Sequence, residues 1–168
     1  PFRPANMGLS VDWSPHMDGF LGQPVKGVTL AAGGRSSRGE FVLSTRGIEG
    51  GGVYTLSAPV RDGATLTLDL MPGHSLTEIT GRLSRPRGKE TVGNWLRKCL
   101  RIDPVKLALL QEWGRPFPAR PDRLAALVKA LPVRHKGPRP LAEAISSAGG
   151  ITGDSLAPDL ELKALPGT

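Results

Sequence analysis

Ala64-Thr65-Leu66-Thr67-Leu68-Asp69-Leu70 and, shortly after it, Ser75-Leu76-Thr77-Glu78-Ile79 decide how this chain is read. In the first stretch leucine alternates with Thr or Asp, the period of a half-buried β-strand. In the second, Ser75 with Glu78 three residues later makes a capping box, in which each residue satisfies an orphan N–H at a helix start. Leu76, Ile79 and Leu83 then share one helical face, and the helix ends before Pro86. Strands are expected on the N-terminal side of this switch in period and helices on the C-terminal side.

Working back from it, the first third reads as β. Val25 to Ala32 is an apolar run ending at the turn signal Gly33-Gly34, and Glu40 to Thr45 is a second candidate strand. Gly47-Ile48-Glu49-Gly50-Gly51-Gly52 and then Val53 to Val60 lie between this strand and Ala64–Leu70. Working forward, Val92, Trp95, Leu96 and Cys99 form one stripe of a helix over Thr91 to Leu100. Asp103-Pro104 is an N-cap with a first-turn proline and opens a third helix through Trp113. After the proline-rich break from Arg115 to Pro121, Asp122 is expected to cap a fourth, with Leu124, Leu127, Val128 and Leu131 facing inward. Leu131-Pro132-Val133 and Leu141 to Ser147 read as strands, the latter with a helix as the alternative, and Ala148-Gly149-Gly150-Ile151 reads as a turn. The order β, helices, β predicts an α+β fold in which a helical segment is inserted into a small β domain.

Composition removes several classes of function. No apolar run approaches the roughly 20 residues of a membrane-spanning helix. The single cysteine, Cys99, excludes a disulfide framework and a cysteine-based zinc site. His16, His74 and His135 stand at no metal-ligand spacing, and Cys99, on an apolar stripe, reads as a buried thiol. There is no Gly-x-Gly-x-x-Gly turn between strand and helix, so this chain is not expected to bind a dinucleotide by itself. The chain opens on Pro1 and stops at Thr168, and it reads as an internal piece of a longer protein, with a trimmed polypeptide as the alternative.

Two segments stand out for chemistry. Between Arg82 and Arg101 lie Arg82, Arg85, Arg87, Lys89, Arg97, Lys98 and Arg101 against Glu90 alone, which is most of the net charge of +7. Such a concentration suits phosphate or nucleic acid, but few aromatic residues interleave with it, and a solvated helix face is the simpler reading. The glycine-rich turn from Thr45 to Tyr54 carries Arg46, Glu49 and the only tyrosine. It suits a ligand pocket or a tight strand-to-helix turn with no ligand.

Several stretches together resemble one family: Phe2-Arg3-Pro4-Ala5-Asn6-Met7-Gly8 with Val11-Asp12-Trp13; Gly39-Glu40-Phe41-Val42; Gly47-Ile48-Glu49-Gly50 with Tyr54-Thr55-Leu56-Ser57; Arg85-Pro86-Arg87-Gly88-Lys89; and Ala144-Ile145-Ser146-Ser147-Ala148-Gly149-Gly150-Ile151 with Leu165-Pro166-Gly167. They resemble the inserted region of the HI0933-like (BaiN-type) FAD-dependent oxidoreductases over nearly the whole chain. The resemblance implies a small β-barrel over 1–74 and 131–168 carrying a helical subdomain over 75–130. It implies a Rossmann-type FAD domain of the same chain as partner, FAD bound there and not to this piece, and a small-molecule substrate. It also places Gly149 and Gly150 where the chain re-enters the flavin domain, near the cofactor. Many relatives have Thr-His-x-Gly-x-Ser-Gly-Pro where this chain has Ser44-Thr45-Arg46-Gly47-Ile48-Glu49-Gly50-Gly51, so Thr45 replaces a histidine that is able to carry a proton near neutral pH. The expectation is the substrate-side cap of a cytoplasmic flavoenzyme, inactive as this piece, with Thr45, Arg46, Glu49 and Tyr54 lining the pocket. The chemistry would belong to the flavin. The alternatives are a nucleic-acid module using Arg82–Arg101, with nucleic acid the less favoured partner, and a purely structural domain.

Overall fold

The computed structural model describes residues 1–165, so Pro166 and Gly167 of the C-terminal motif lie outside the described residues. The chain forms β1 (Arg3–Asn6) and β2 (Leu9–Ser10), a 3₁₀ turn at Pro15–Phe20, and then a long hairpin of β3 (Pro24–Ala32) and β4 (Arg35–Ser44). Gly33 and Gly34 join the two strands with φ of 56° and 75°. Positive φ at both central residues matches the twist of a two-residue hairpin. β5 (Gly47–Glu49) follows the two-residue turn Thr45-Arg46. The segment after it departs from the β reading of the first third: α1 (Gly51–Tyr54) and α2 (Ser57–Arg61) precede β6 (Thr67–Asp69). Val53, Leu56 and Val60 are all buried, and their spacing of three and four residues belongs to a helix rather than a strand.

Between β6 and the next strand come α3 (Leu76–Leu83), α4 (Val92–Leu100), α5 (Pro104–Gly114) and α6 (Pro121–Lys129). The capping box forms: the Glu78 N–H donates to Ser75 Oγ at 3.2 Å, and the Ser75 N–H to Glu78 Oε2 at 2.7 Å. The Ser75 N–H and, at 2.9 Å, the Ser75 hydroxyl both donate to Glu78 Oε2 and hold that carboxyl below the usual range. The fourth helix starts two residues earlier than expected. Pro121 takes its first position and Arg120 is the cap, so Asp122 lies inside the first turn, where it pairs with Arg120 at 2.8 Å. The pre-set φ of proline suits that first position. α5 is buried on nearly every side and fills the centre of the molecule.

The chain then returns through β7 (Leu131–Pro132), β8 (Gly137–Pro138) and β9 (Ser146–Ala148). The Leu141–Ser147 stretch divides: Leu141–Glu143 is a 3₁₀ turn and only its end is strand. One sheet has the order β7-β6-β3-β4-β5-β2-β8, and all its pairings are antiparallel. Its two edges meet. The Val133 N–H donates to the Leu66 carbonyl at 2.9 Å and the Lys136 N–H to the Ser10 carbonyl at 2.8 Å. Residues three apart reach at most about 11 Å, so the β6 and β2 ends of the sheet face each other and the sheet rolls into a barrel. The fold is α+β, as the sequence predicts. Leu66, Leu68 and Leu70 are fully buried, each contributing about 1.5–3 kcal/mol. They belong to one continuous core that also takes in Ile79, Leu96, Leu109 and Leu124 from the helices.

His135 lies on the crossing that closes the barrel. Its Nδ1 is buried without a partner among the described residues, and burial pushes its pKa down. A histidine whose folded pKa is depressed contributes stability that is fully present above its unfolded value, about 6.5, and is lost as pH falls below it. The melting temperature is therefore expected to drop between pH 7 and pH 5, and His135→Gln should flatten that part of the curve. The depressed carboxyls of Glu78, Asp62 and Asp122 act only at lower pH, near and below the ordinary carboxylate range. A pH 7-to-5 slope unchanged in His135→Gln contradicts the assignment.

Candidate functional site

The barrel rim is organised by the turn between β4 and β5. Ser44 pairs with Gly47, leaving Thr45 and Arg46 at the exposed tip. Gly47 has φ of 138°, and a Cβ on it would sit 2.0 Å from the Leu9 carbonyl oxygen, so only glycine lets β5 run this close to β2. Arg46 forms an ion pair with Glu143 of the 3₁₀ turn, and its side chain stays 60% exposed. Thr45 is exposed, and its hydroxyl has no hydrogen bond among the described residues.

Glu49, at the end of β5, meets a residue the sequence reading did not single out. Arg139 donates through Nη1 to Glu49 Oε2 at 2.6 Å and through Nη2 to Ser44 Oγ at 2.6 Å. It is among the few buried charged side chains described. Its backbone is pinned as well: the Arg139 N–H donates to the Gly8 carbonyl at 3.0 Å, and prolines flank it on both sides. Its Nε is buried without a partner among the described residues. Gly8 leaves room for it, since a Cβ there would lie 3.1 Å from that nitrogen. The signal for Arg139 was present in Pro138-Arg139-Pro140, an arginine on a stiff extended backbone. Glu143 carried no comparable local mark.

Two charged groups thus tie the β4–β5 turn to the 139–143 segment, Arg139 with Glu49 and Ser44 and Arg46 with Glu143; together they form the charged cluster of the rim, with Thr45 at its tip. Tyr54 does not join it by hydrogen bonding. It lies half-buried on α1, and its hydroxyl has no partner among the described residues. Gly149 and Gly150 follow β9, with φ of 105° and 99°. A Cβ on Gly149 would lie 2.4 Å from the Pro1 carbonyl oxygen, so that glycine is needed for the approach of the two chain segments. The cluster offers the exposed, Glu143-paired guanidinium of Arg46, the Thr45 hydroxyl and the Oε1 of Glu49, which has no partner among the described residues: groups for holding a polar ligand. It holds no general base of the histidine type. His16 pairs with Glu112 at 3.4 Å, and neither His74 nor His135 bonds to the cluster. Burial pushes the Cys99 thiol up, which disfavours the nucleophilic thiolate. No three His, Cys, Asp or Glu residues among those described are grouped to hold a metal.

The family model described as "HI0933-like protein barrel and H2TH domain" matches residues 3–146. The chain belongs to this family. The match takes in the whole of the charged cluster, from Ser44 to Glu143, and the four helices between β6 and β7. It ends within β9, before Gly149 and Gly150. The HI0933-like family is associated with FAD-dependent proteins. The residues of this HI0933-like domain do not themselves make a dinucleotide cradle. All pairings of the seven-stranded sheet are antiparallel, and the described residues contain no parallel strand–helix–strand unit to present a helix N-terminus to the pyrophosphate. No described helix is long and apolar enough to cross a membrane.

Proposed function

We propose that this HI0933-like domain is the substrate-side cap of a cytoplasmic FAD-dependent oxidoreductase, docked on a Rossmann-type FAD domain of the same polypeptide. In this reading 1–74 and 131–168 form the barrel-like unit and 75–130 the helical one. The observation that carries the proposal is the β1–β9 ribbon. Arg3 pairs with Ala148, so the strand entering the barrel and the strand leaving it lie side by side, which is what insertion into another domain requires. Around that ribbon and the segment after it stand Phe2, Ile145, Ile151 and Leu160, each more than 60% exposed. Apolar groups concentrated in one region call for a cover, and a companion domain supplies one.

Thr45, Arg46, Glu49 and Tyr54 then shape the pocket wall for a small-molecule substrate. Arg46 attracts an anionic group, Glu49 accepts a hydrogen bond from a donor, and the turn excludes water. Thr45 in place of the relatives' histidine points to a substrate whose turnover needs no proton from that position. Gly149 and Gly150 lie beside the cofactor. The isolated chain is inactive in this reading.

The test is to express the reading frame extended on both sides of this chain and to record its visible absorbance and released cofactor. A yellow protein releasing FAD is expected. Phe2→Asp with Ile151→Asp should weaken flavin retention several-fold while leaving the circular dichroism unchanged. A colourless product, or full flavin retention in the double variant, overturns the cap reading.

A further inference from the structure

A second feature lies away from the barrel rim and does not rest on the flavin reading. α3, α4, α6 and the 115–121 segment enclose a cleft of about 1000 Å³. Its apolar surface comes from Leu83, Val92, Trp95, Phe117 and Leu124. Pro116, Pro118 and Pro121 stiffen one wall, so little ordering is left for a ligand to impose. Three arginines, Arg85, Arg87 and Arg115, border the cleft, and no carboxylate lines it. Trp95 donates its Nε1–H to the Arg85 carbonyl at 3.0 Å, which ties the indole edge to the backbone bearing one of those guanidiniums. The Arg115 guanidinium lies 5.9 Å from the centre of the Phe117 ring. Neither Arg85 nor Arg115 has an ion-pair partner among the described residues, whereas Lys98 of the same basic stretch is paired with Glu90 at 2.9 Å.

The basic stretch from Arg82 to Arg101 is not one face. Arg82 and Arg101 line a separate, polar cleft against Arg38 and Lys106, and the Arg82 Nη1 donates to the Leu100 carbonyl at 3.3 Å. A split distribution makes a poor track for a polynucleotide backbone. An aromatic-lined cavity of small-molecule size with unpaired guanidiniums at its mouth suits a compact ligand with a ring at one end and an anion at the other. We propose that this cleft binds a small aromatic carboxylate, its ring against Trp95 and Phe117 and its carboxylate held by Arg85 and Arg115.

The test is calorimetric titration of the full-length polypeptide with 1-naphthoate and with the uncharged 1-naphthalenemethanol. Naphthoate should bind at one equivalent and at least about tenfold more tightly than the alcohol, as charge-assisted hydrogen bonds require. Arg85→Gln with Arg115→Gln, both at exposed positions, should weaken naphthoate by about tenfold or more with the fold retained by circular dichroism. Arg97→Gln, in the same basic stretch but outside the cleft, should leave it unchanged. The proposal is overturned by no saturable binding, by equal affinity for acid and alcohol, or by a matching loss in Arg97→Gln. Tighter, steeply salt-dependent binding of oligodeoxythymidylate at this cleft would overturn it in favour of nucleic acid. Failure of the flavin test leaves each of these readouts as it is, because none uses the cofactor.

Discussion

Gly47→Ala is expected to destabilise the chain by at least about 3 kcal/mol, out of the 5–15 kcal/mol typical of a folded domain. Two costs combine. The backbone at this position has φ of 138°, a conformation that residues with a Cβ rarely adopt, and the added Cβ would sit 2.0 Å from the Leu9 carbonyl oxygen and 2.7 Å from the Val11 nitrogen. Both obstacles are backbone atoms, so no side-chain rotation relieves them. β5 would have to leave β2, breaking the Leu9–Ile48 and Ser10–Gly47 pairings and moving the Thr45-Arg46 tip with them. Urea denaturation should show a lower midpoint with an unchanged slope, and the Val11 amide, bonded to the Arg46 carbonyl at 3.2 Å, should lose exchange protection. Gly51→Ala is the control: a Cβ there meets nothing within 4 Å, and its stability should stay within about 1 kcal/mol of the parent. A Gly47→Ala protein as stable as the Gly51→Ala one contradicts the close approach of β2 and β5.

Arg139→Met is expected to cost about 2–4 kcal/mol. The methionine fills much of the space but leaves Glu49 Oε2 and Ser44 Oγ without the donor they share. Glu49 is 36% exposed, so water rehydrates part of its carboxylate, and the loss stays below that of a fully enclosed pair. Arg139→Lys should recover only part of the loss, because one ammonium does not reproduce the planar fork that reaches both partners. Glu49→Gln alone should cost less than Arg139→Met. The double variant should show a coupling of about 1–2 kcal/mol by thermal or urea unfolding. Strict additivity would mean that the two side chains do not share the bond.

The parts of this protein that were legible in the sequence are those whose physics is local. The Ser75/Glu78 box and the Gly33-Gly34 hairpin each act over a few residues and form as read, and the Ala64–Leu70 alternation shows in the burial of Leu66, Leu68 and Leu70, although the strand itself is only Thr67–Asp69. The misreadings are of the same kind in reverse. Glycines after Glu49 masked a helical spacing in Val53, Leu56 and Val60, and Asp122 competed for the cap position with a proline that fits the first helical turn better. Arg46 and Glu49 were visible as charges on a glycine-rich turn. Their partners were not, because Glu143 and Arg139 lie 97 and 90 residues further along the chain.

From its sequence alone, this chain was determined to be an α+β protein with helices set between β segments, short of a dinucleotide fingerprint, and akin to the HI0933-like inserted region. Periodicity, capping and motif spacing carry that much because they are properties of neighbouring residues. Only the tertiary structure decided how the sheet closes on itself, that Arg139 ties Glu49 and Ser44 together at the rim, and that Arg85 and Arg115 border one aromatic cleft while Arg82 and Arg101 line another. Barrel closure depends on a crossing whose two amides reach opposite edges of the sheet. The arginines sort by which way each turn of helix faces once the core is packed. Contacts between residues far apart in the chain have no local period, so they exist as information only after the fold has brought them together.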